Sequence, residues 1–137
     1  MAKTFTAAFA QTSKTGSAVA TAASVITNDT PTNTILMATA GADGAILTKL
    51  TAMPRATVTA SGLYLFISQD SGTTKRVVDS ALMAAYTYAA TTYNEPTVFD
   101  AIAEATPIRL EAGDELYVSS AVALASGIVF NAEWTDF

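Results

Sequence analysis

Thr106-Pro-Ile-Arg-Leu-Glu-Ala-Gly-Asp-Glu-Leu-Tyr-Val118, followed a few residues later by Ile128-Val-Phe-Asn-Ala-Glu-Trp-Thr-Asp-Phe137, decides the fold class. In the second piece Ile128, Phe130, Ala132 and Trp134 alternate with Val129, Asn131, Glu133 and Thr135. A period of two gives one apolar face and one mixed face, as in a half-buried strand. In the first piece Pro107-Ile-Arg-Leu110 and Leu116-Tyr-Val118 read as short strands around the turn Glu111-Ala-Gly-Asp114, with Leu116 and Val118 pointing inward. These are the closing strands of a β-sandwich, with Trp134 in its core.

Upstream, Gly62-Leu-Tyr-Leu-Phe-Ile-Ser68 is the most hydrophobic strand candidate. Leu63, Leu65 and Ile67 share one face, and Tyr64 and Phe66 share the other, so both faces call for burial. Such a strand is either covered twice by its own chain or covered once by a partner subunit. Asp70-Ser-Gly-Thr73 turns the chain into Lys75-Arg-Val-Val78. Earlier still, Thr34–Thr39 and Ala45–Thr51 flank an Asp43-Gly44 turn and read as a hairpin, with Ile46, Thr48 and Leu50 on one face. Ala81–Ala90 fits either a helix or a strand and is read as a short helical turn leading into a strand; Thr91–Pro96 is a loop.

Roughly eight short strands separated by Gly, Asp or Pro turns predict an all-β, jelly-roll-like antiparallel sandwich. Residues 31–137 form this domain, and residues 1–30, rich in Ala, Thr and Ser, are either its first strands or an arm that orders against a neighbour. At 137 residues the chain supports one core, which typically hides about two-thirds of the unfolded chain's surface. It is 50% hydrophobic and only 14% charged, with a mean hydropathy of +0.34, which is apolar for a small monomer and points to contacts with other subunits.

A net charge of −5 argues against nucleic-acid binding, which rests on clustered Lys and Arg. No apolar run approaches the roughly 20 residues that span a bilayer, and Met1-Ala-Lys-Thr-Phe-Thr lacks the pattern of a secretory signal, so a cytoplasmic site of synthesis is expected. With no His and no Cys, the usual Ser or Cys triads, HExxH zinc sites and disulfides have nothing to be built from. Glu111, Asp114 and Glu115 cluster at a turn, where carboxylates serve conformation. Asp43, Asp70 and Asp114 lack the spacing of a calcium loop, and no glycine-rich stretch has the form of a phosphate loop. No catalytic, cofactor-binding or metal-binding residue is expected. Tyr64, Phe66, Tyr86, Tyr88 and Tyr93 fit a core or an interface better than a sugar-stacking surface. The candidate interface residues are Phe5, Phe9, Tyr64, Phe66 and Phe137.

Leu63-Tyr-Leu-Phe-Ile-Ser with Asp70-Ser-Gly-Thr, Pro107–Val118 and Gly127–Phe137 resemble the jelly-roll cement, or decoration, proteins of tailed-bacteriophage capsids. The resemblance spans about residues 34–137 and its motifs are structural. It implies a non-enzymatic homo-oligomer, dimer or trimer, on the outer capsid surface of the virion. There it would bridge major capsid proteins against the pressure of packaged DNA. It implies no site residues. A tail or fibre component and a glycan-binding module are the alternatives.

Overall fold

The computed structural model describes residues 12–137, in which nine strands and no helix form two antiparallel sheets. The first sheet contains β1 (Thr12–Ala20), β9 (Ile128–Asp136) and β3 (Ala45–Pro54), with β6 (Thr97–Val98) and β7 (Ile108–Leu110) one after the other along the far edge of β3. The second runs β2 (Ile35–Thr39), β8 (Glu115–Ser120), β4 (Ser61–Ser68) and β5 (Arg76–Met83). This order is a jelly roll, with β6 and β7 sharing one place. Residues 12–20 therefore belong to the sandwich itself.

Composition accounts for the way the sheets close. β9 lies between β1 and β3 and points Ile128, Phe130, Ala132 and Trp134 into the core, as its period-two pattern predicts. Its neighbours answer with small residues. Ala18 and Ala52 flank Phe130 on either side, and Gly16 lies against the Trp134 indole, where an added Cβ would come within 2.9 Å of the ring. The Ala- and Gly-rich first strand thus fills the space that large residues of β9 leave.

Four expectations are corrected. The Asp43-Gly44 turn forms, but β2 and β3 lie in different sheets, so it is a corner between sheets and not a hairpin. The Glu111–Asp114 turn is a second such corner, between β7 and β8. The two corners zip together: the Ala40 amide donates to the Asp114 carbonyl (2.8 Å) and the Gly113 amide to the Ala40 carbonyl (3.3 Å). Leu50 does not share a face with Ile46 and Thr48, because a bulge between Leu47 and Lys49 shifts the alternation and turns Leu47 and Leu50 inward. Ala81–Ala90 contains no helix: Ala81–Met83 completes β5, and Tyr86 bridges to Val58.

The fourth correction concerns Phe66. The outer face of β4 is covered by the chain's own loop 21–34, which is fastened at Ser24 to the Ser120 carbonyl and at Asp29 to Lys75 and Arg76. Those anchors lie on opposite sides of β4 and at opposite ends of the sheet, so the loop crosses β4 diagonally. Phe66 is 0% exposed beneath it and is not an interface residue.

Among the described residues the only hairpin between consecutive long strands is β4–β5. Ser71 (φ 59°) and Gly72 (φ 88°) both take left-handed backbone there, as a tight hairpin turn requires. The Asp70 carboxylate accepts the Thr74 amide at 2.7 Å and the Ser68 hydroxyl at 3.0 Å, and these bonds hold its pKa below the usual carboxylate value. Because the folded pKa is the lower one, this contribution is fully present above about pH 4 and is lost as pH falls through the folded value. We expect the protection of the Thr74 amide, measured against its intrinsic exchange rate, to fall over that acidic window in the native protein and to lose the dependence in Asp70→Asn, as read by hydrogen-exchange NMR.

Candidate docking surface

Two edge strands, β5 of one sheet and β6 of the other, lie on the same side of the sandwich, and the segment 84–96 runs between them. It is pinned at several points. Tyr86 and Val58 exchange backbone hydrogen bonds at 3.0 and 2.9 Å, the Tyr88 amide donates to the Thr57 hydroxyl at 2.9 Å, and the Asn94 side-chain amide donates to the Pro54 carbonyl at 2.7 Å. Just beyond β6, Phe99 is 0% exposed and plugs the core. These attachments make the segment a fixed wall, and between it and β5 lies an open cleft.

The cleft is apolar at its rim and acidic at its side. Leu82 is 77% exposed, Tyr93 78% and Val98 44%. Glu95 and Asp100 also line it, and no Lys or Arg does. Leu82 is out in solvent because it falls on the outer row of β5, one residue from Met83, which points into the core. A second exposed apolar group, Ile26, Val77 and Val78, lies at the other end of β5, where the loop 21–34 meets it.

The backbone edge of β5 is itself guarded. Asp79 points inward opposite Leu65, and a bulge opposite Leu65 and Phe66 leaves Val78 out of register. Inward charges and bulges are common means of blunting a free edge against further strand pairing. The free edge of β5 is therefore poorly suited to pairing with a further strand.

The chain matches no protein-family model, no curated protein and no solved structure.

The expected interface residues do not converge. Phe5 and Phe9 lie outside the described residues. Tyr64 is half-buried on the outer face of β4, packed edge-on against Phe66 with ring centroids 6.3 Å apart. Phe137 is half-buried at the corner end, where its amide donates to the Gly44 carbonyl at 3.1 Å. Tyr93 and Tyr88 were visible in the sequence among the aromatics suited to a core or an interface, but Leu82 and Val98 were not singled out. Nothing local distinguishes an outward leucine from an inward one when its strand has a free edge.

The clustered carboxylates serve the turns. Asp114 is buried and accepts the Glu111 amide across its own corner at 2.9 Å. Asp136, also buried, accepts the Gly41 amide at 3.2 Å and pairs with Lys14, tying β1, β9 and the first corner together. Among the described residues no three Asp or Glu side chains gather where they could hold a metal ion.

Proposed function

We propose that the chain is a structural virion protein that decorates the outer surface of a phage capsid and stabilises it by bridging major capsid proteins. The observation that carries this reading is the pair of exposed apolar surfaces at opposite ends of β5 on one jelly roll. A bridging protein needs at least two contact surfaces held at a fixed separation, and contiguous exposed apolar patches mark such contacts. The resemblance of Leu63–Ser68, Pro107–Val118 and Gly127–Phe137 to capsid cement proteins points the same way. The acidic net charge of −5 suits a surface that must not adhere to DNA.

Virions carrying and lacking the chain, heated in parallel, provide the test. DNA release should occur at a distinctly higher temperature when the chain is present, and equal resistance would sink the reading. A glycan-binding reading has one observation in its favour: Tyr88, 60% exposed, borders a hollow with Arg55, Asn94 and Asn131. An aromatic face beside amide groups suits a sugar ring, and selective retention on a glycan array, lost in Tyr88→Ala, would favour that alternative.

A further inference from the structure

We propose that the cleft between β5 and β6 receives the segment Met1–Gln11 of a second copy of this chain, so that neighbouring copies are joined by exchanged arms. This deepens the homo-oligomeric part of the function proposed above. Reach, apolar content and charge support it.

Reach keeps the pair of rings out of the chain's own cleft. β1 starts at Thr12, opposite Asp136, whereas Val98 of the cleft pairs with Thr51 and so stands level with Asn131 of β9. Five residue steps along β9 cover about 17 Å, and crossing from β1 past β9 and β3 adds about 14 Å sideways, or roughly 22 Å on the diagonal. Phe9 stands three residues before Thr12 and reaches at most about 11 Å, while Phe5, seven residues before it, reaches about 25 Å. The two rings together can enter only another molecule's cleft.

Content and charge match. Phe5, Ala7 and Phe9 alternate with Thr4, Thr6 and Ala8, so an extended arm would present both rings on one side, toward Leu82, Tyr93 and Val98. Lys3 is the only ionisable side chain in Met1–Gln11, and no Asp or Glu precedes Asp29. The cleft carries Glu95 and Asp100 with no basic residue. A basic, phenylalanine-bearing arm and an acidic, apolar cleft are complementary. Because arm and cleft are different surfaces, the contact is heterologous, and it closes either reciprocally in a dimer or around a ring.

The test mixes two variants of the full chain. Phe5→Ser with Phe9→Ser removes the arm's rings but keeps the cleft. Leu82→Asp with Tyr93→Asp spoils the cleft but keeps the arm, at positions exposed enough to tolerate the change. Near-UV circular dichroism of Trp134 checks that both remain folded. By light scattering, the parent chain should be oligomeric and each variant alone monomeric, with self-association weakened by about 100-fold or more. An equimolar mixture should recover a two-chain species, since one variant supplies the arm and the other the cleft. A monomeric parent, variants that retain the parent's mass, or a mixture that stays monomeric would each overturn arm exchange. The virion-heating result would be unaffected by any of these, so the two ideas fail separately.

Discussion

Phe130→Ala should lower stability by about 3–5 kcal/mol, the largest loss expected of any single truncation in this protein. Phe130 is 0% exposed, and its neighbours across both ladders are Ala18 and Ala52. Truncation would leave three alanines in a row across the middle of the first sheet. None of them has side-chain atoms to move into the space, and β1 and β3 are held in register by their pairing with β9 on either side. The cavity would remain largely open, and the cost of a large-to-small change rises with the volume left unfilled. Urea unfolding followed by Trp134 fluorescence should show a midpoint lower by about 1.5–3 M at a slope typical of a small domain. Phe130→Leu should recover more than half of the loss. A midpoint shift under about 0.5 M for the alanine variant would mean that β9 does not carry the core as described.

Gly44→Ala is the second large effect, at about 3 kcal/mol. Two independent penalties meet at this residue. Its φ of +90° lies in the region where a side chain costs about 1–2 kcal/mol. In addition, an added Cβ would stand 2.5 Å from the carbonyl oxygen of Leu110, a backbone atom that cannot rotate aside. Gly113 makes the matched control. Its φ is similar, +80°, but an added Cβ would meet nothing within 4 Å, so Gly113→Ala should cost only the conformational part. The difference between the variants in thermal or urea unfolding isolates the contact between the two corners. Equal losses would show that the corners are not packed together.

The contrast between β9 and β3 shows which parts of the fold can be read locally. β9 alternates without interruption, so its inward set was legible residue by residue. β3 has the same kind of sequence but contains a bulge at Thr48, and one inserted residue exchanges the two faces for the rest of the strand. Turn chemistry had a similar limit. Asp43-Gly44 and Gly113-Asp114 specify a reversal of the chain, but whether the flanking strands pair or part into different sheets depends on strands far away in sequence. Phe66 had the pattern of an interface residue because both faces of β4 are apolar. The loop that covers it is Thr-rich chain with no local mark of where it docks. The cleft was the least legible feature, since Leu82, Tyr93 and Val98 come from three segments that only the closed sandwich brings together.

The position of β9 has a consequence for how the protein is made. This strand is central in the first sheet, yet it is the last to leave the ribosome among the strands described. Until residues 128–136 emerge, β1 and β3 have no common partner, and the apolar rows facing them remain uncovered. β4–β5, the only hairpin of long consecutive strands among the described residues, is what can form early. The nascent chain therefore waits with its first sheet open, and a pause or truncation shortly before residue 128 would release a species with β1 unpaired and one edge of β3 bare, prone to aggregate.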